Sequence, residues 1–117
     1  MSSVKPPNKL EHDVQNEIRL WCGEHDILAI RHNVGKFRAL NNPERIVDAG
    51  PPPGWPDLEL IDNNGHSIYC ECKTKGGRVR EDQKKVHAVL RARGKIVIVP
   101  KSLEEFIKEI SKYEWFK

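Results

Sequence analysis

The residues of this chain best suited to chemistry are two carboxylates and a lysine: Asp57, Glu71 and Lys73. Asp57 opens one apolar run and Glu71 closes the next, so adjacent strands would bring both carboxylates to the same end of one sheet. Glu71 and Lys73 are two positions apart, so on a strand they point to the same face. Oxygen ligands for a divalent cation, beside a lysine that activates or orients water, are the groups that phosphodiester hydrolysis requires.

Each of these residues also has an ordinary structural interpretation. Asp57 could simply end the proline-rich loop 51–56, and Glu71 with Lys73 could form a solvated pair on a half-exposed strand. Glu17 borders the apolar face of the first predicted helix, where it could be a boundary residue, or could reach the metal through a water or bind a second ion. Gln83 could face solvent, or its amide could orient Lys73 or a phosphate at a helix N-terminus.

The distribution of charge indicates a polyanionic partner more strongly than the net charge of +3 does. Nine Lys or Arg residues and only two acids lie between Glu71 and Ile96. This stretch could be a solvated charge run, but next to a metal site it is better suited to hold a nucleic-acid backbone. The candidate phosphate contacts are Lys75, Arg78, Arg80 and Lys84, with a second basic cluster at Arg31, Lys36 and Arg38.

The cysteine count favours a reducing compartment. Three cysteines, an odd number, occur without a recognisable signal peptide, so we expect a cytoplasmic protein with free thiols. No apolar run approaches the length of a transmembrane helix, and we expect no membrane partner.

Hydrophobic periodicity predicts a single α/β domain over residues 1–117, with 1–9 as a flexible lead-in. The expected element order is α-β-β-β-α-β-α. Asn63-Asn64-Gly65 is typical of a hairpin turn between the second and third strands. Helices are predicted over Leu10–Glu24, Glu81–Arg93 and from Ser102 to about Lys112, and strands over Ile27–Arg31, Asp57–Asp62, His66–Lys73 and Lys95–Val99.

Two further features of the predicted topology matter for function. The helix between the third and fourth strands makes a crossover, so these strands should be parallel. Residues 33–54 contain many Gly, Asn and Pro residues and are predicted to form one long loop, which in a small domain is more often functional than idle.

The joint pattern resembles the VRR-NUC domain, the virus-type replication-repair branch of the PD-(D/E)xK nuclease superfamily. The similarity runs from about Glu17 to Val99. It is carried by Gly54-x-Pro56-Asp57-Leu58, Glu71-Cys72-Lys73-Thr74, Gly77-Arg78-Val79, Gln83, and the early stretch Arg31-x-Asn33-x-Gly35. The resemblance implies a restriction-endonuclease-like fold, in which an α-β-β-β-α-β core forms a mixed sheet flanked by helices.

The resemblance also implies roles for individual residues. Asp57, Glu71 and the helix glutamate Glu17 would bind Mg²⁺ or Mn²⁺ together with the main-chain carbonyl of Cys72. Lys73 would be the catalytic lysine, Gln83 the family glutamine beside it, and Asn33 a further nucleic-acid contact. Arg80 departs from the pattern, because the family often has Ser or Thr there to cap the helix.

The implied activity is a metal-dependent, structure-specific DNA endonuclease with a part in DNA repair, of bacterial, viral or phage origin. Single-domain members of the family resemble four-way (Holliday) junction resolvases and act as homodimers, so branched DNA and a second copy of the chain are the expected partners. Three alternatives remain open at this point: a flap or single-strand nicking endonuclease, a non-catalytic nucleic-acid-binding module that kept the fold, and a structural or regulatory protein whose charged strand face is solvated.

Overall fold

The computed structural model of the chain describes residues 9–32 and 35–117, without the side chains of residues 35–39 and 46–49. These residues form a small α/β structure with a mixed four-stranded sheet, a separate two-stranded hairpin and three helices. In chain order the elements are α1 (Glu11–Glu24), β1 (Leu28–Arg31), β2 (Gly35–Ala39), β3 (Asn42–Ala49), β4 (Leu58–Ile61), β5 (Ser67–Cys70), α2 (Glu81–Ala92), β6 (Ile96–Ile98) and α3 (Leu103–Ile110).

The four-stranded sheet has the order β1-β4-β5-β6. Strand β4 runs antiparallel to both β1 and β5, and β6 runs parallel to β5. The predicted hairpin between β4 and β5 and the parallel crossover through α2 are therefore confirmed. The ladder between β4 and β5 is shorter than predicted, because its last pair is Leu58 with Cys70.

The prediction of one long loop over residues 33–54 is wrong. This region contains the antiparallel hairpin of β2 and β3, whose register shifts between Arg38 and Ala39. The two strands pair with each other and belong to a sheet of their own. Glycine, asparagine and proline mark turns as well as loops, so the sequence signal for a tight hairpin was interpreted as a structureless segment.

The helices cover both faces of the main sheet, and side-chain alternation along β5 explains how. Ile68 and Cys70 belong to the large core, which includes Val14 and Ile18 of α1 and Phe106 of α3. Successive strand residues point to opposite faces. Tyr69 accordingly belongs to a second, smaller cluster on the other side of the sheet, where α2 supplies its apolar contact, Leu90.

Local hydrogen bonds fix the ends of the later helices. Gly94 follows α2 with a φ of 80°, a left-handed conformation that favours glycine, and its N–H donates to the carbonyl of Arg91 over 3.0 Å. The Oγ of Ser102 accepts the N–H of Glu105 at the start of α3, as the capping pattern predicts. Within the described ranges, no helix is long and apolar enough to cross a membrane.

Candidate active site

Asp57 and Glu71 occupy opposing positions just beyond the last pair of the β4–β5 ladder. The register that pairs Leu58 with Cys70 puts Asp57 opposite Glu71 at the next position. The carbonyl of Asp57 accepts the N–H of His32 over 2.9 Å, and the N–H of Glu71 donates to the carbonyl of Ile98 over 2.9 Å. Backbone hydrogen bonds to His32 on one side and to Ile98 on the other therefore fix this end of the sheet.

The two carboxyl groups are in hydrogen-bonding contact. Burial and the adjacent Glu71 carboxyl raise the pKa of Asp57 to about 7. Burial also raises the pKa of Glu71, although the Asp57 hydrogen bond and the Lys73 charge oppose that shift. The Oδ2 of Asp57 also accepts the N–H of Cys72 over 2.8 Å. Two acids in one buried site resist double ionisation, and a divalent cation would relieve that repulsion.

Lys73 is buried next to this pair. Its N–H donates to the carbonyl of Pro100 over 3.1 Å, and its Nζ lies 3.4 Å from the Oε1 of Glu11 at the start of α1. Glu71 and Lys73 are each only 1% exposed. A solvated pair on a half-exposed strand is therefore excluded, because this part of the face is covered.

His87 is a site residue that sequence reasoning missed. Its Nε2 lies within hydrogen-bond distance of the Oε1 of Glu71, at 3.2 Å, and both side chains are buried. Burial, followed by the charges of Arg91 and Lys73, lowers the pKa of His87, so the imidazole is neutral at neutral pH. The available signal was its position four residues after Gln83, which puts both on one helix face.

Gln83 is a buried residue in the first turn of α2. Its Oε1 accepts the N–H of Arg80 over 2.9 Å, and the residue is 4% exposed. This hydrogen bond satisfies the backbone donor of the N-cap residue, which is the part of a capping box that the side chain at the third helical position supplies. A direct role for Gln83 at Lys73 or at a phosphate stays a prediction.

Glu17 lies elsewhere on α1 and pairs with Lys9. The acid that α1 brings to the site is Glu11, which faces the lysine from the first residue of the helix. A role for Glu17 at the metal stays a prediction.

The described side chains provide a pair of acidic ligands. Among residues 9–32 and 35–117, excluding the undescribed side chains of the β2–β3 hairpin, no three His, Cys, Asp or Glu side chains are grouped to hold a metal ion. Asp57 and Glu71 still fit a hard divalent cation, which accepts carbonyl and water oxygens for its other positions. The thiol of Cys72 is buried in the large core, so its main-chain carbonyl is the group that stays a predicted ligand.

A cavity of about 340 Å³ opens beside Asp57. Arg31 and Arg80, both predicted to contact nucleic acid, line it together with Gln83 and Trp55. Two arginines and Asp57, one member of the acidic pair, therefore line the same recess.

The other predicted nucleic-acid contacts lie away from the lining of this cavity or outside the description. Lys75 and Arg78 are exposed in the segment before α2, and Lys84 is exposed and pairs with Glu81 over 3.2 Å. Asn33 lies outside the described residues, as do the side chains of Lys36 and Arg38.

Comparison with protein-family models finds no matching family, and comparison with curated proteins finds no match. The functional proposal below therefore rests on the geometry of the site and on the resemblance in sequence pattern.

Proposed function

We propose that this chain is a Mg²⁺- or Mn²⁺-dependent DNA endonuclease of the VRR-NUC type, which hydrolyses phosphodiester bonds in branched DNA such as the four-way junction. The observation that carries the proposal is the contact between the carboxyl groups of Asp57 and Glu71 at one end of the sheet, with Lys73 buried beside them. Arg31 and Arg80 in the adjoining cavity supply charge of the sign that a DNA strand requires.

The topology supports the finer assignment to a restriction-endonuclease-like fold. Helix α1, strands β1, β4 and β5, helix α2 and strand β6 follow one another in the order of the expected α-β-β-β-α-β core. The hairpin of β2 and β3 is an addition between the first and second core strands. The predicted acids lie at the start of the second core strand and after the third.

Each residue has a definite task in the proposed reaction. Asp57, Glu71 and the carbonyl of Cys72 would hold the metal, which would supply a coordinated water of lowered pKa and positive charge at the phosphate. His87 donates a hydrogen bond to Glu71 and fixes the orientation of that carboxylate. The carboxylate of Glu11 lies 3.4 Å from the Nζ of Lys73 and positions it. The lysine holds or deprotonates the attacking water and offsets negative charge as the bond breaks.

A junction has two strands to cut, and one site cuts one strand at a time. Symmetrical cleavage needs two sites related by a two-fold axis, so we propose that the active form is a homodimer. Sedimentation at micromolar concentration tests this part separately, since a strict monomer would leave flap cleavage or simple nicking.

The decisive experiment is cleavage of end-labelled DNA by the full chain with Mg²⁺, with Mn²⁺ and with EDTA. Four-way junctions, flaps, single strands and linear duplexes form the substrate panel, and Glu71→Gln is the inactive comparison. We expect metal-dependent cuts in the junction that the Gln variant loses. Binding of every substrate without cleavage of any would overturn the nuclease proposal in favour of a non-catalytic module. Preferential cutting of flaps would replace the junction as substrate.

A further inference from the structure

The cavity beside Asp57 gathers unsatisfied polar atoms. Among the described residues, the buried side-chain atoms without a hydrogen-bond partner are the Oε1 of Gln15, the Nε2 of His32 and the Nε1 of Trp55. All three residues line this cavity. Each buried, unpaired polar group costs about 1–3 kcal/mol. Their concentration in one recess indicates that a ligand completes it.

The chemical character of these atoms narrows the class of ligand. Gln15 is 9% exposed, and its carbonyl oxygen needs a donor, whereas the indole N–H of Trp55 needs an acceptor. The Nε2 of His32 lies 3.9 Å from Glu59, too far for a hydrogen bond. A phosphate diester supplies acceptors alone and a bare cation supplies neither. The edge of a nucleobase supplies donors and acceptors together.

Two of the residues that line the cavity, His32 and Trp55, carry aromatic rings. The rings of His32 and Trp55 meet nearly at right angles with centroids 6.3 Å apart, and Tyr69 lies 5.7 Å from Trp55. Arg31 also lines the cavity, and its side chain makes no hydrogen bond or ion pair with other described residues. Aromatic rings and guanidinium planes are the groups on which proteins stack unpaired bases.

We propose that this cavity holds a single unpaired base of the DNA strand, turned out of the stack next to the phosphate that is cut. Gln15 accepts a hydrogen bond from the base edge, Trp55 donates one to it, and Arg31 contacts the adjoining sugar and phosphate. This inference rests on the proposed nuclease function and adds a substrate class, namely DNA with an unpaired or easily extruded nucleotide at the cut.

Equilibrium binding without metal tests the inference. The probes are a short fluorescein-labelled single strand with a central adenine and the same strand with an abasic site there, in EDTA. Both probes carry the same phosphates, so the general electrostatic contribution to affinity cancels in the ratio of the two affinities. Because base stacking contributes about 1–3 kcal/mol, we expect the wild type to bind the adenine probe about tenfold more tightly.

Two conservative variants assign this preference to the cavity. Trp55→Phe keeps a ring and removes the N–H, and Gln15→Met keeps the length and removes the acceptor. Each should reduce the preference for adenine about fivefold while leaving affinity for the abasic probe unchanged, since a hydrogen bond contributes about 1 kcal/mol. Trp115→Phe is the matched control, because Trp115 is partly exposed and contacts His66, Tyr113 and Phe116.

The affinities of the wild-type protein for the adenine and abasic probes test the base-binding proposal even if a variant fails to fold. Equal affinity for the two probes would overturn the base-binding proposal, and junction cleavage in the same preparation would leave the nuclease proposal standing. A clear adenine preference in a protein that cuts no DNA with any metal would support the base-binding proposal and overturn the nuclease proposal. A preference that survives both cavity variants unchanged would put the base elsewhere and would also overturn the inference.

Discussion

The carboxyl groups of Asp57 and Glu71 are in contact across the end of an antiparallel strand pair, although the two residues are separated by a hairpin in the chain. Opposing residues in such a pair have their side chains on the same face, so like charges there repel. The repulsion between Asp57 and Glu71 occurs at a buried position next to Lys73. Such a local conflict is typical of a functional site.

The first prediction concerns stability without metal. The pKa of Asp57 is about 7 in the folded chain against 3.8 as the ordinary value, so the folded state binds more protons between these values. The free energy of unfolding therefore falls as pH rises from about 4 to about 7. Asp57→Asn removes part of this loss and should raise stability at pH 7.5 by about 1–2 kcal/mol, a figure reduced for partial exposure.

Urea unfolding in EDTA at pH 5 and pH 7.5 measures the effect of Asp57→Asn. Glu24→Gln, which replaces an exposed carboxylate at the end of α1, is the control and should leave the pH dependence unchanged. A variant no more stable than the wild type at pH 7.5 would contradict the assigned repulsion. Added Mg²⁺ should restore wild-type stability and leave Asp57→Asn largely unaffected.

Much of the fold followed from sequence because its signals are local. Strand spacing put Glu71 and Lys73 on one face of the sheet, and the residues that alternate with them on β5, Ile68 and Cys70, lie in the large core on the other face. The hairpin in the segment between His32 and Gly50 was not predicted from the sequence. Among the described residues its two strands pair with each other and not with the main sheet, so packing against that sheet does not impose an apolar pattern on them.

The polar part of the site was predictable only in outline. Spacing put Glu71 and Lys73 on one face, but burial of that face depends on α2, whose inward stripe is Gln83, His87 and Leu90. Val89, an apolar residue of the same helix, is 54% exposed. Because two of these three inward residues are polar, the sequence alone indicates a solvated helix face. The residues that pack against this face show that it is buried.

The second prediction concerns Lys73. Lys73→Met keeps much of the apolar stem and removes the charge, so it should fold and lose cleavage activity by about 10²–10⁴-fold, the range for a positioned proton-transfer group. DNA affinity should change little because this lysine is buried. Lys84→Met is the matched control at an exposed lysine paired with Glu81. Unimpaired nicking by Lys73→Met would refute the catalytic assignment.

The third prediction concerns the exposed Arg78. If it contacts phosphate, Arg78→Ala should weaken binding equally at all sequences and reduce the slope of log affinity against log salt by about 1. Arg93→Ala is the control, because Arg93 is equally exposed but follows the C-terminal end of α2, about 18 Å from its start. Fluorescence anisotropy across a salt series measures both. An unchanged slope for Arg78→Ala would exclude the contact.

The fourth prediction concerns Gly54, where the loop before Asp57 touches the first turn of α2. Its φ is 90°, and an added Cβ would lie 2.5 Å from the carbonyl oxygen of Asp82. Gly54→Ala should therefore destabilise the fold by about 1–3 kcal/mol, the usual cost of a strained backbone. It should also reduce cleavage, because Gln83 and the cavity wall must shift with the helix end.

The matched control for Gly54→Ala is Gly23→Ala. Gly23 lies within α1, and its added Cβ would meet nothing within 4 Å. Alanine forms helix better than glycine does, so this variant should gain about 0.5–1 kcal/mol and keep its activity. Urea unfolding and junction cleavage on the same preparations measure both variants. Wild-type stability and activity in Gly54→Ala would mean that the loop and the helix end do not pack together as described.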